Sequence, residues 1–249
     1  IYYMVTLNLN DISRLKMNFC DNYSEIYIEI YRFTKKILKE YCNKSNITLT
    51  FPVNIRGMIA MYGIEIVEMN LNTDIGFRME RINGYLWHIT QYSPSQWKIY
   101  INAPDSEFTK RYVMAHEFSH FLLRQDVQED CVPIQENCID PMLPKKKTEL
   151  LADVMAAYFL MPPELLLDEM CRYREKMRKT NYYPIDAAAF LQDIGCKAQI
   201  STYHSFLCYQ YVRYYLCCLY GEKSKEAAEP QAHADAVQWM KKYGNLFRE

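Results

Sequence analysis

Two hydrophobic periods divide this chain. Ile26, Tyr27, Ile30, Phe33, Ile37, Leu38 and Tyr41 recur at helical spacing, which predicts a helix from a Ser24 cap to about residue 42. Asn43-Lys44-Ser45-Asn46 ends it, and a short helix is expected over residues 53–62, closed by Gly63. From Ile64 the period falls to two. Ile64 and Ile66 share one face of an expected strand reaching Met69. Residues 77–81 and 85–91 flank Asn83-Gly84, a dipeptide suited to a type I′ hairpin turn. Trp97, Ile99 and Ile101 then alternate with Lys98, Tyr100 and Asn102, and Ala103-Pro104 ends that strand. The expectation is a three- or four-stranded antiparallel meander, with residues 97–102 as an edge open to an extended peptide by strand addition.

The helical period returns over residues 106–124. Asp105 or Ser106 can accept from the free N–H groups at its start, and Glu107 suits the positive end of the helix dipole. Tyr112, Val113, Phe118, Phe121 and Leu122 provide packing surface. Residues 125–147 contain three prolines, several acids and no period, and read as a connector. Thr148 is placed to cap a helix over residues 149–160, stopped by Pro162-Pro163, and Pro163 can open the next helix to residue 179. Further helices are expected over residues 185–194, 201–220 and 232–243. The fold class is therefore α+β: a small antiparallel sheet packed on helices, followed by a mostly helical C-terminal region. The expected divisions are a helical segment at 1–50, a core at 51–165, a helical continuation at 166–220, and a linker with a terminal helix at 221–249.

Composition narrows the class without naming a function. Of 249 residues, 50% are hydrophobic and 24% charged, as in an ordinary soluble domain. A net charge of −1 gives no general reason to bind nucleic acid, and Lys145-Lys146-Lys147 and residues 172–179 read as solvated basic faces. Nine cysteines without regular spacing, and no leader segment before them, favour reduced thiols and a cytoplasmic location. Cys131 and Cys138 flank a loop but form no CxxC. No stretch has the length of a membrane span; residues 206–220 come nearest and are broken by Gln210 and Arg213.

The chemistry concentrates at His116-Glu117-Phe118-Ser119-His120. On a helix the two imidazoles lie one turn apart on one face and can share a metal. The glutamate projects beside them, where it can act on a water at that metal. A catalytic zinc usually has a third protein ligand. In one geometry it comes six residues past the second histidine, after a glycine; those positions here are Leu123 and Asp126, and Leu123 gives no reason to turn. In another it is a glutamate on a separate helix. Glu149 is placed to ligate, and Asp153, one turn later, to accept from the outer N–H of a ligand histidine. Asp153 interrupts an apolar run, and a carboxylate on a buried face needs a partner. Glu129, Asp130 and Glu136 are weaker alternatives.

His116-Glu117-Phe118-Ser119-His120-Phe121-Leu122-Leu123, followed by Glu149-x-x-Ala152-Asp153-x-x-Ala156-x-x-Phe159-Leu160-Met161-Pro162, resembles the ImmA/IrrE family of zinc metallopeptidases. The resemblance covers about residues 50–165 and continues more loosely to Ile200-Ser201. It implies a zincin-like core and one zinc ion per chain on His116, His120 and Glu149, with Glu117 as general base. It also implies an intracellular, site-specific endopeptidase that cuts a helix-turn-helix repressor and so derepresses mobile-element or stress genes. The implied partner is that repressor protein, with no direct nucleic acid and no membrane. Met155 replaces a usual Phe, the connector is long, and the segment after Ser201 is rich in Tyr and Cys; the last two bear on substrate choice. His204, Tyr203, Tyr182 and Tyr183 are candidate oxyanion donors. The competing reading is a non-cleaving regulatory or toxin-like binding protein on a peptidase fold, against which the intact Glu117 argues. A structural zinc site is disfavoured because such sites usually close four ligands, mostly Cys and His.

Overall fold

The computed structural model describes residues 23–71, 83–89, 96–123, 147–179 and 187–220. These hold seven helices and three strands: α1 (Tyr23–Ser45), α2 (Ile55–Met61), β1 (Glu65–Met69), β2 (Gly84–Ile89), β3 (Gln96–Asn102), α3 (Glu107–Leu123), α4 (Lys147–Leu160), α5 (Pro163–Lys179), α6 (Ala187–Ala198) and α7 (Thr202–Tyr220). The content is α+β and mostly helical. Expected elements at 77–81 and 232–243, and the connector at 125–147 up to residue 146, lie outside the described residues. The chain forms two compact units. One contains 54–156; the other joins the described residues before 54 to those from 157 onward.

In the first unit the sheet order is β1-β3-β2. β1 runs parallel to β3, with Ile66 opposite Ile99, and β2 runs antiparallel to it, with Leu86 opposite Ile99. The sheet is mixed, which corrects the expected antiparallel meander. Ile99 and Ile101 have no exposed surface, so β3 takes the protected central place. The stretch from 70 to 95 has the length that a parallel return requires. A second expectation falls with it: residues 97–102 are flanked on both sides and offer no open edge to a substrate.

One sheet face, with Ile99 and Ile101, packs on α3. The other carries Tyr85 stacked on Tyr100 at 4.8 Å, with Trp87 at 5.7 Å from the same ring. Burial, then the neighbouring Tyr100, pushes the Tyr85 hydroxyl above its ordinary pKa. Gly84 does not take a positive φ, which excludes its role in the expected type I′ turn. It opens β2 where a Cβ would lie 2.3 Å from Val113 Cγ1 and 2.9 Å from the Tyr100 carbonyl oxygen. Close approach of strand and helix, not a turn, is what demands glycine here.

Polar contacts aim α3. Ser106 Oγ accepts from Thr109 N at 3.2 Å and so caps the helix. Asp105 instead accepts from Asn102 Nδ2 at 2.9 Å, while Asn102 Oδ1 accepts from Leu71 N at 3.2 Å. The buried Lys110 donates to Glu68 on β1 at 2.8 Å and to Glu107 at 2.9 Å, and Arg56 on α2 also reaches Glu68. These hydrogen bonds raise the Lys110 pKa and lower that of Glu68.

Three helices end in the same way. Asn46 (φ 52°) and Gln199 (φ 55°) take the left-handed conformation directly after α1 and α6, and Gly63 (φ 70°) does so one residue further on, past the Tyr62 cap of α2. At Gly63 the two reversing bonds are Gly63 N to Ala60 O at 3.0 Å and Ile64 N to Ile59 O at 3.4 Å. In the second unit, Tyr31 packs edge-on against Tyr158 at 5.6 Å and lies 4.3 Å from Tyr215, joining α1, the last turn of α4 and α7. Tyr31 donates to Glu164, which Lys35 meets at 2.6 Å. Among the described residues Cys42, Cys171, Cys196 and Cys208 form no disulfide.

The crowding at Gly84 makes a prediction. Gly84→Ala should destabilise the fold by about 1–3 kcal/mol, the usual cost of overpacking. Adding Val113→Ala should recover only part of that loss, since the Tyr100 carbonyl remains close. Denaturant midpoints of the single and double variants check this; a neutral Gly84→Ala would show that strand and helix can separate freely.

Candidate metal centre

His116 and His120 lie one turn apart on α3, and Glu149 and Asp153 one turn apart on α4. The two pairs face each other. His116 Nε2 and His120 Nε2 are 3.0 Å apart. Glu149 Oε2 is 3.1 Å from the first, and Glu149 Oε1 is 3.1 Å from the second. Two imidazole nitrogens at this distance share at most one proton between them, so hydrogen bonding alone does not explain the convergence. A four-coordinate metal with bonds of about 2.0 Å sets its ligand atoms roughly 3.3 Å apart. The two nitrogens, and the Glu149 carboxylate that meets each of them with a different oxygen, are spaced close to the edges of that tetrahedron. Among the described residues, His116, His120 and Glu149 form a group able to hold a metal ion.

The electrostatics ask for a cation. Glu149 and Asp153 are 7% and 2% exposed, and Glu117 is 9% exposed. Three carboxylates around two imidazoles is an excess of negative charge in a place that water hardly reaches. Burial alone would lower the His116 pKa, but its contacts with Asp153 and Glu149 and the charges of Asp153 and Glu117 raise it well above its ordinary value. The site thus draws positive charge to His116, which a proton or a metal can provide.

Asp153 Oδ1 lies 2.9 Å from His116 Nδ1, the nitrogen turned away from Glu149. The same oxygen accepts from the Tyr112 hydroxyl at 2.8 Å. Glu117 projects beside the histidines. Burial raises its pKa, and Glu149 adds to this; His116, His120 and the Leu86 backbone N–H act in the opposite sense. Leu86 lies on β2, so the strand that crowds α3 at Gly84 also supplies a backbone donor to Glu117.

The sequence named His116, Glu117, His120, Glu149 and Asp153, and all five come together in the first unit. His204 and Tyr203 belong to the second unit. His204 Nδ1 is 2.8 Å from Ser201 Oγ, the cap of α7, and Tyr203 is 47% exposed. Asp126, Glu129, Asp130, Cys131, Glu136, Cys138, Tyr182 and Tyr183 lie outside the described residues. Sequence reasoning treated Tyr112 only as packing and did not single out Leu86. Tyr112 stands four residues before His116, a spacing that could have flagged its hydroxyl; nothing in the sequence marks a backbone N–H.

The IrrE N-terminal-like domain, a peptidase family, matches residues 62–192, just over half of the chain. The chain belongs to the ImmA/IrrE peptidase family. The matched span includes β1 to β3, α3, α4 and every residue of the metal centre. No curated protein matches the chain. Membership in a peptidase family implies a protein substrate. No single described helix is long and apolar enough to cross a membrane.

Metal binding to the folded state alone should stabilise this family member measurably. With zinc as probe ion at about 100 times its dissociation constant, the expected gain is ~2.7 kcal/mol. His120→Ala and Glu149→Ala should lose most of that gain. Thermal melts with and without a chelator test it, and a melting temperature indifferent to added metal in the wild type would overturn the assignment.

Proposed function

We propose that this chain is a zinc-dependent, site-specific endopeptidase whose substrate is a helix-turn-helix transcriptional repressor, acting in the cytoplasm. The observation that carries the metallopeptidase part is the triangle of His116, His120 and Glu149 ligand atoms with the buried Glu117 beside it. Family membership supports peptide hydrolysis as the reaction. The repressor and the genes it controls follow from the family resemblance of the motifs.

His116, His120 and Glu149 would hold the zinc, with Asp153 setting the His116 ring. Bound there, zinc would supply Lewis acidity toward the scissile carbonyl and the attacking water. Glu117 takes the proton of the attacking water and returns it to the departing amine. Burial suits it to that task, because it raises the pKa of the carboxyl and so strengthens it as a base. The Leu86 N–H holds Glu117 in place and limits how far its pKa rises. Exclusion of water strengthens each of these interactions.

The test pairs wild type with Glu117→Gln. Both should carry a single zinc ion per chain by metal analysis. The wild type should cut a helix-turn-helix repressor substrate, and the variant should do so at least about 100-fold more slowly. Zinc in both proteins with cleavage by neither would favour a non-cleaving binding protein on the same fold. Equal cleavage by both would remove Glu117 from the mechanism.

A further inference from the structure

Asp153 is held from two successive turns of α3, and this gives Tyr112 a function beyond packing. Its Oη donates to Asp153 Oδ1 at 2.8 Å, and that same oxygen lies 2.9 Å from His116 Nδ1. Tyr112 is 8% exposed and Asp153 2% exposed, so water competes little for either contact. The Tyr112 ring also lies nearly parallel to the His116 ring, at 6.3 Å and 26°. His116 therefore meets Asp153 through one nitrogen and Glu149 and His120 through the other.

We propose that Tyr112 is a positioning residue of the metal centre, acting on His116 through Asp153. A lone carboxylate can turn about its last bond and offer either oxygen to the imidazole. The Tyr112 hydroxyl removes that freedom by fixing Oδ1 with a charge-assisted hydrogen bond. Asp153 in turn keeps the proton of His116 on Nδ1 and leaves the Nε2 lone pair directed at the ligand triangle. The inference rests on the metal-site reading above and adds a residue that no ligand motif contains. Tyr112→Phe is the informative change, because it deletes one oxygen and leaves the stacked ring in place.

Competition of purified wild-type and variant protein against a chromophoric chelator for zinc provides the main readout. Asp153→Asn should weaken zinc binding by roughly 10–100-fold, the usual effect of losing an outer partner of a ligand histidine. Tyr112→Phe, one bond further out, should weaken it by about 3–10-fold on the same scale. Combining the two should be no worse than Asp153→Asn alone, since the hydroxyl acts only through that carboxylate. The visible spectrum of the cobalt(II) form should shift in Tyr112→Phe, which a packing role would not cause. Unchanged zinc affinity and an unchanged cobalt spectrum in Tyr112→Phe would overturn the proposal, as would full additivity with Asp153→Asn. Failure of the wild type to bind either metal would instead overturn the metal-site reading on which it stands.

Discussion

The arrangement depends on a charge imbalance kept out of water. Glu117, Glu149 and Asp153 are all buried around His116 and His120, and isolated buried carboxylates are too costly to persist without compensation. The compensation is local and ordered: each carboxylate touches or faces an imidazole, and Asp153 gains a hydroxyl as well. A fold that keeps this concentration of negative charge draws positive charge to the place where the two histidines converge, as a proton or as a metal ion. Much of the first unit can be understood as the means of holding α3 and α4 in register against that demand.

The sheet and the caps do that holding. β3 fills the middle of the sheet because Ile99 and Ile101 need cover on both edges and on the face toward α3. Gly84 lets β2 approach α3 closely enough for Leu86 to donate to Glu117. At the start of α3, Ser106 caps the helix while Lys110, Glu68 and Arg56 tie it to β1 and α2. Exposed ion pairs contribute little, but Lys110 is buried and joins two elements, so its bonds fix direction more than they add stability. The helix enters the site along one line, and the histidine pair inherits it.

How much of this was legible in the sequence depends on the range of the interaction. Helical period alone located α3, α5 and α7 to within a residue or two, because each is set by contacts three and four residues apart. Gly63 was legible as a helix end for the same reason. Strand pairing was not. Ile64, Ile66, Ile99 and Ile101 announce strands, yet alternation does not say which neighbour lies beside which strand, or in what direction. The Asn83-Gly84 dipeptide suggested a local turn, whereas Gly84 answers to Val113, far along the chain. The motif residues were readable because metal chemistry restricts both residue type and spacing. The Leu86 amide was not, since every residue but proline carries that donor.

The two histidines of the motif look equivalent in sequence and are not equivalent in the fold. His116 is engaged through both ring nitrogens, toward Asp153 on one side and the ligand triangle on the other. The described contacts of His120 run through Nε2. One arm of the centre is thus set in advance by two helices, while the other takes its direction mainly from its own turn of α3. The difference originates on α4, where a carboxylate one turn past Glu149 can meet only the histidine nearer the start of α3. The spacing between Glu149 and Asp153 therefore does two things at once: it completes the ligand set and selects which histidine is fixed. A ligand fixed before metal arrives loses less freedom on binding, so an unequal pair can favour binding without making the whole site rigid.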